Sequence, residues 1–195
     1  MALAFAIGLP SIAGLRPEAP LEGPRTAAAS VAVLVSLDEL TSRSTHVIIA
    51  TAGEQKSVWE ELPSGKRIVT YTRLAVERTI AGPAEKEIWV RTLGGVVDKI
   101  GQSVSGEATF LPGSRALVFV HGVDGQYTVT ARAQGHYPIV ESKPGVFTLN
   151  ASPDAGALLP RRGPTVSARE RLVGSLVEDA VTLVKQARRT SNDAK

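Results

Sequence analysis

The chain of 195 residues contains no cysteine. This absence excludes disulfide bonds, cysteine-ligated zinc, iron–sulfur clusters and thiol catalysis. It does not identify the compartment in which the protein works.

Aromatic residues are scarce, at 5% of the chain, so the core must be built from valine, leucine, isoleucine and alanine. The hydrophobic content of 43% and the charged content of 21% are ordinary for a globular protein. The net charge is only +3. A nucleic-acid interface needs lysine and arginine clustered on one face. We therefore expect no nucleic-acid partner.

Long hydrophobic runs are also missing. The uncharged apolar run Met1–Gly14 is too short to span a bilayer, which takes roughly 20 residues, so we expect no transmembrane span. The run has the length of a signal-peptide core, and small-x-small sites follow at Ser11–Ala13 and Ala27–Ala29. No lysine or arginine precedes it, so a plain N-terminus in a cytoplasmic protein is the alternative. We interpret 1–30 as a signal-like segment and Pro/Ala-rich linker, and expect a periplasmic, cell-surface or extracellular protein.

Residues 31–150 have the pattern of a β domain. Ser36 can cap a short helix over Leu37–Arg43. Strict apolar alternation over 67–80 predicts a strand that forms a long antiparallel hairpin with 46–60. Further short strands are predicted at 31–35, 86–93, 116–120, 126–133, 139–141 and 146–149. The fold class predicted is mainly β: a small antiparallel, OB-like β-barrel capped by a C-terminal amphipathic helix.

The C-terminal part changes to helical periodicity. Residues 151–166 are rich in proline and glycine and are interpreted as a linker. Ser167 and Glu170 form a capping-box pattern, and apolar residues then recur at helical spacing. One helix is predicted over 168–188. The segment 167–189 should pack on the barrel, and 190–195 should be a fraying tail.

Sequence motifs for catalysis or metal binding are not found. The three histidines, His46, His121 and His136, are not spaced for one helix face, and H-E-x-x-H does not occur. The segment 101–106 resembles G-x-S-x-G, but a serine occupies the second glycine position. We predict no catalytic residue, no metal site and no cofactor. Gly94 and Gly95 are interpreted as a bulge or bend of the backbone.

The candidates for ligand contact are Gln134, His136 and Tyr137. Gly135 lets the backbone turn there, and Tyr137 with Pro138 makes a partly apolar surface beside the imidazole of His136. Separate surface histidines are the alternative interpretation. Trp59 and Trp89 are predicted to be core residues, and an exposed aromatic edge is the alternative. Glu60 and Glu61 are strand neighbours, so their side chains should point to opposite faces.

Four motifs within 46–149 resemble an uncharacterised domain of exported bacterial proteins, often found in myxobacteria and sometimes beside secreted metalloproteases. They are V-E-x-x-x-x-G (Val76, Glu77, Gly82), V-R-x-x-G-G (Val90, Arg91, Gly94, Gly95), F-x-x-G-x-R-x-L-V-F (Phe110, Gly113, Arg115, Leu117, Val118, Phe119) and A-Q-G (Ala133, Gln134, Gly135). The resemblance implies a small OB-like or netrin-like barrel. It implies no catalytic residues.

Three hypotheses for function follow. The first is a non-enzymatic, exported β-barrel module that binds a protein or a cell-envelope component. The second is a metal- or ligand-dependent enzyme that uses the His136 region. The third, resting on the resemblance alone, is an accessory or inhibitor of a secreted protease. In the first case the segment Val96–Pro112 is the expected contact surface, because it is too long for a tight connection.

Overall fold

The computed structural model describes residues 32–123, 125–161 and 165–193. The predictions for 1–30, Val31, Asp124 and 194–195 lie outside these ranges. Within them the chain forms strands β1 (Ala32–Val33), β2 (His46–Leu62), β3 (Gly65–Ala81), β4 (Glu87–Leu93), β5 (Gly95–Val97), β6 (Ile100–Gln102), β7 (Arg115–Val123), β8 (Gln126–Val129), β9 (His136–Lys143), β10 (Val146–Leu149) and β11 (Leu158–Leu159). The helices are α1 (Leu37–Arg43), α2 (Ala168–Leu172) and α3 (Val177–Asp193).

The main sheet is built around the hairpin of β2 and β3. Its strands pair antiparallel from Val47 opposite Ala81 to Leu62 opposite Gly65, which confirms the predicted hairpin and extends it. Branched side chains alternating in β3 suit a strand with two different faces. The register shifts between Ala52 and Gln55, so a bulge bends β2 near its middle.

The strand order of the large sheet is β10-β9-β7-β2-β3-β4-β8. All neighbours pair antiparallel except β4 and β8, which pair in parallel through Val90 opposite Tyr127. Strand β8 also pairs antiparallel with residues 120–123 of β7. It lies on the same edge of β7 as β9, which pairs with residues 116–118. The fold is therefore mainly β with helices at its C-terminal end, as predicted.

Apolar side chains cover both faces of this sheet. The outer cluster joins the sheet to the helices and includes Leu37, Leu40, Phe119, Leu172 and Val184. The inner cluster lies on the opposite face of the sheet and includes Ile48, Leu74, Val90, Phe110 and Val118. Both are mostly aliphatic, as the low aromatic content requires. The inner cluster is the one that borders the candidate site.

The C-terminal region forms two helices and not the single helix predicted over 168–188. The predicted capping box is present, with the Ser167 hydroxyl accepting from the Glu170 amide and the Glu170 carboxylate accepting from the Ser167 amide. Helix α2 ends after five residues, and Gly174 has a left-handed φ of 81°. Glycine adopts that conformation readily, so the chain turns before α3 begins. Arg188 of α3 then donates to the carbonyl oxygens of Thr41 and Ser44, at the C-terminal end of α1.

Two strand boundaries differ from the predictions. The strand predicted over 126–133 ends at Val129, because Ala131 and Arg132 have positive φ values and lead into a 3-10 turn. Strand β9 therefore begins at His136, three residues before the predicted start. The bend predicted at Gly94 and Gly95 is confirmed by their φ values of 97° and 130°.

The prediction that Trp59 and Trp89 are core residues is wrong, since each is 38% exposed. Trp59 lies near the tip of the β2–β3 hairpin, where the ammonium group of Lys66 is 5.6 Å from its ring centroid. Trp89 lies opposite Arg73. Each indole therefore has water on one side and strand neighbours on the other.

The segment 151–166, predicted to be a linker, contains ordered structure where it is described. A 3-10 turn covers Pro153–Ala155, and β11 pairs in parallel with β1. The Asp154 carboxylate accepts from the amide of Thr109 at 3.1 Å. This turn thus brings Asp154 to the candidate site. None of the helices in the described ranges has the length and apolar character needed to cross a membrane.

Candidate functional site

The inner face of the sheet changes from apolar to polar along β2, β3 and β4. At the apolar end, Ala52, Leu74 and Ile88 are neighbours in register. Beyond them, the inner positions carry Gln55 and Ser57 on β2, Thr72 and Thr70 on β3, and Thr92 on β4, where Val90 still belongs to the apolar part. A polar inner face removes apolar surface that could otherwise be buried. This polar part of the inner face is therefore a candidate ligand site.

The small β5–β6 hairpin crosses over this polar floor. Gly95 makes the crossing possible, because a Cβ at that position would lie 2.1 Å from Thr70 Oγ1 and 2.6 Å from Ser57 Oγ. Gln102 holds the other strand of the hairpin, with its side-chain oxygen accepting from the amide of Ile68 at 2.7 Å. The hairpin is thus fixed at both ends above the floor.

The space between this floor, the hairpin and the segment 103–110 is a cleft of about 600 Å³, which we call the polar cleft. Asp154 and Glu107 also line it. Its apolar lining includes Val96, Ala108 and Phe110. No lysine or arginine is among the described residues that line it. An apolar wall with a few convergent polar groups is typical of ligand sites.

Hydrogen bonds within the floor fix the orientation of its side chains. Thr70 donates to the carbonyl oxygen of Gly94 at 2.6 Å, so the Ser57 hydroxyl, 2.8 Å from Thr70 Oγ1, must be the donor of that pair. The Gln55 amide nitrogen donates to the carbonyl oxygen of Phe110 at 2.7 Å and to Thr72 Oγ1 at 3.2 Å. The floor is therefore preorganised.

Glu107 is the most deeply buried carboxylate of the cleft, with 8% of its surface exposed. Backbone amides of Ala108 and Leu93 donate to it, and Arg132 Nε lies 3.8 Å from Oε2. Burial away from water raises the pKa of Glu107, and the nearby Arg132 offsets this only in part. A carboxyl group with a raised pKa in a cleft is a common property of functional sites, although it also occurs in structural networks.

Replacing Glu107 by glutamine should change the dependence of stability on pH. The folded-state pKa of Glu107 is raised above its ordinary 4.5. The native protein therefore binds more protons than the unfolded chain just above pH 4.5, and this group's stabilising contribution is lost as the pH rises. We expect Glu107→Gln to remove that part of the slope when urea unfolding is followed from pH 4 to pH 8. Parallel curves for the variant and the wild type would contradict the assignment.

Large apolar side chains are exposed beside the polar cleft. Val96 lines it and is 63% exposed, while Ile100 and Leu111 are 56% and 68% exposed and adjoin the lining residues Gly101 and Phe110. We call Val96, Ile100 and Leu111 the apolar rim. All three belong to the segment that the sequence indicated as a contact surface. Exposed apolar groups at a cleft are characteristic of interaction sites.

The three predicted ligand-contact residues lie outside the polar cleft. Gln134 bridges to the N-terminal strand, accepting from the amide of Val35 and donating to the carbonyl oxygen of Val33. Tyr137 is buried in the outer cluster, where its ring meets Phe119 edge-on at 6.1 Å. Burial raises the pKa of Tyr137 far above its ordinary value. Neither side chain presents a polar group to the polar cleft.

His136 lies directly behind the wall of the polar cleft. It is 3% exposed, and its ring centroid is 4.7 Å from that of the lining residue Phe110. Nδ1 is 3.4 Å from Ser152 Oγ, and Nε2 has no hydrogen-bond partner among the described residues. Desolvation lowers the pKa of His136 to about 4, against a smaller opposing effect of Asp154. The imidazole is therefore neutral at physiological pH.

The other two histidines have separate surroundings. His46 Nδ1 is 2.9 Å from Thr45 Oγ1, and its ring meets Tyr127 edge-on. His121 Nδ1 is 3.1 Å from the carbonyl oxygen of Arg43. In the part of the chain that the structure describes, no three histidine, aspartate or glutamate side chains are grouped to hold a metal ion.

Glu60 takes part in a network on the outer face. Its carboxylate accepts from the Tyr71 hydroxyl at 2.6 Å and from Arg91 Nη2 at 2.8 Å. The bond from Tyr71, followed by that from Arg91, lowers the pKa of Glu60. The network joins β2, β3 and β4 on the side away from the polar cleft, so its role is structural.

Sequence reasoning missed the polar cleft. The inner-face positions of β3 form one alternating set, and threonine is a good strand former, so Thr70 and Thr72 are not distinguished by pattern from Ile68 and Leu74. Asp154 and Glu107 come from distant irregular segments. The available signal was the series of serine, threonine and glutamine at alternate positions of strands whose neighbours are aliphatic.

No protein-family model matches this chain, and no curated protein is significantly similar to it. The resemblance to a domain of exported bacterial proteins therefore stays a prediction, and the geometry of the polar cleft and the apolar rim is the basis for assigning a function.

Proposed function

We propose that this protein is a non-enzymatic binding module that holds a partner protein against the apolar rim and the polar cleft. The observation that carries the proposal is the exposure of Val96, Ile100 and Leu111, each more than half exposed, beside a preorganised cleft. Interfaces draw much of their affinity from a few apolar anchors next to pockets. Export, predicted from Met1–Gly14, stays a prediction and would place the partner in the cell envelope or outside.

An OB-like barrel is the scaffold that we propose for this module. Strand β8 pairs with β4 on one side and with β7 on the other, so the pairings run in a ring through β7, β2, β3, β4 and β8. The parallel pair in this ring is β4 with β8. Such a ring supports a small barrel whose open end is occupied by the polar cleft.

The buried position of His136 supports a binding module over an enzyme of the His136 region. A general base must reach the proton that it abstracts. The imidazole is 3% exposed, and it contacts the lining residue Phe110 without lining the polar cleft itself. The neutral imidazole packs against the inner cluster through Phe110.

Charged substitutions in the apolar rim should abolish partner binding. We expect the full-length Val96→Asp/Ile100→Asp variant to lose a specific partner that the wild type retains on affinity capture, with affinity reduced about tenfold or more. Leu159→Asp/Val166→Asp is the matched control, because these side chains are similarly exposed, at 55% and 57%, and do not line the cleft. Equal recovery by both variants would contradict the proposal.

The identity of the captured protein distinguishes the accessory role. If that protein is a protease whose activity changes in the complex, the hypothesis of a protease accessory or inhibitor gains support. If it is not a protease, the binding module stands without that role.

A further inference from the structure

The hydrogen-bond capacity left over in the polar cleft consists mainly of acceptors. The Gln55 amide nitrogen donates to the carbonyl oxygen of Phe110 and to Thr72 Oγ1. Its Oε1 is the side-chain atom that has no hydrogen bond in the described structure. The Ser57 hydroxyl donates to Thr70 Oγ1, and the Thr92 hydroxyl donates to the carbonyl oxygen of Thr70. Each of these hydroxyls keeps only lone pairs.

Two lining carboxylates add to this excess of acceptors. Asp154 Oδ2 accepts from the Thr109 amide, and its Oδ1 makes no hydrogen bond to the described residues. Glu107 accepts from two backbone amides and faces Arg132 on one side. Donors are left on the amide of Gln102, whose oxygen is occupied by the Ile68 amide, and on the hydroxyl groups of Thr72, Ser103 and Thr109. The balance favours a ligand that donates hydrogen bonds.

The charge of the cleft lining also favours a ligand that donates hydrogen bonds, and in particular a cation. The chain as a whole is basic, with a net charge of +3, yet the described lining of the cleft has two carboxylates and no lysine or arginine. A phosphate, a sulfate or an acidic side chain would be repelled by these two carboxylates. A guanidinium group has five N–H donors and no acceptor, and it pairs well with carboxylates.

We infer that the polar cleft accepts an arginine side chain of the partner protein. The guanidinium faces Asp154 and the acceptors of the floor, while the apolar lining at Val96 contacts its methylene groups. Arginine is among the residues that most often anchor protein interfaces. The inference rests on the proposed function, since it names the chemistry of the group that the same site receives.

A small probe tests this inference without the partner. N-acetyl-arginine amide is titrated into the full-length ¹⁵N-labelled protein, and the backbone amide signals are followed by NMR. We expect saturable shifts at Thr92, Thr109 and Asp154. N-acetyl-citrulline amide has nearly the same shape without the charge and should bind several-fold more weakly. N-acetyl-glutamate amide should give no saturable shift in the cleft.

Substitution of Asp154 locates the interaction. Asp154→Asn keeps an oxygen for the Thr109 amide and removes the charge, so affinity for the arginine probe should fall about two- to fivefold. The control Asp179→Asn removes an exposed carboxylate of α3 and should leave affinity unchanged. Absence of saturable shifts in the cleft, equal binding of the citrulline probe, or no effect of Asp154→Asn would each overturn the inference. Loss of partner capture on rim substitution would still support the proposed function.

Discussion

Replacing Gly82 by alanine should destabilise the protein by about 3 kcal/mol or more, among the larger effects of single substitutions. Gly82 directly follows β3 and has a φ of 93°. A Cβ there would lie 2.3 Å from the carbonyl oxygen of Thr45 and 3.1 Å from the Cα of His46. Both contacts are to backbone, so no side chain can rotate to relieve them. The start of β2 would have to move away from the end of β3.

Gly65 provides a matched control for this experiment. Its φ of 96° is nearly the same, and a Cβ there would meet nothing within 4 Å. Gly65→Ala therefore measures the cost of the left-handed conformation alone, about 1 kcal/mol. The difference between the two variants in urea-induced unfolding isolates the steric term. Equal losses of stability would show that the approach of Gly82 to Thr45 is unimportant.

Acidification should destabilise the protein through His136 by roughly 3 kcal/mol between pH 6.5 and pH 4. Burial lowers the pKa of His136 from 6.5 to about 4. In this range the unfolded chain binds a proton at this position and the native protein does not. Stability is therefore unaffected by this group above pH 6.5 and is lost as the pH falls towards 4.

His136→Gln tests this prediction, because glutamine does not titrate and occupies a similar volume. The variant should lose some stability at pH 8, where the ring contact with Phe110 is missing, but it should lose less than the wild type on acidification. His121→Gln, at an exposed position, gives the effect of removing a histidine that water can reach. A pH profile of His136→Gln parallel to that of the wild type would refute the buried, neutral imidazole.

Glu107 acts in the opposite direction over a neighbouring pH range. Its raised pKa makes the native protein bind extra protons above pH 4.5, which favours the folded state on acidification. The acid limb of the wild-type profile thus combines the titration of two buried groups, Glu107 and His136. Measuring Glu107→Gln and His136→Gln separately resolves their contributions.

The elements that could be predicted from the sequence are those fixed by local pattern. The alternation in β3 gave the long hairpin, and Ser36 with the pattern at Ser167 gave the starts of two helices. The break at Gly174 was missed because the apolar spacing continues on both sides of the glycine. Trp59 and Trp89 were misplaced because a large apolar ring on an alternating strand does not show how much of the opposite surface is covered.

The candidate site depends on contacts that local pattern does not encode. Gly95 was correctly interpreted as a bend, but its close approach to Thr70 and Ser57 requires the fold. Asp154 reaches the polar cleft only because a turn in the segment taken for a linker lies against Thr109. The contact surface at 96–112 is predicted from the length of the segment alone, and the exposure of its apolar side chains could not be derived from that length.

The pairing of β1 with β11 has a consequence for the order of folding. Ala32 lies opposite Leu158, so the first described strand finds its partner only after every strand of the large sheet has been made. The β2–β3 hairpin needs only a two-residue turn and can form locally, whereas the β1 pair must wait until most of the chain has been synthesised. Of the described strands, β1 is therefore the first to be made and among the last to be paired, so it stays accessible while the central sheet is already assembling.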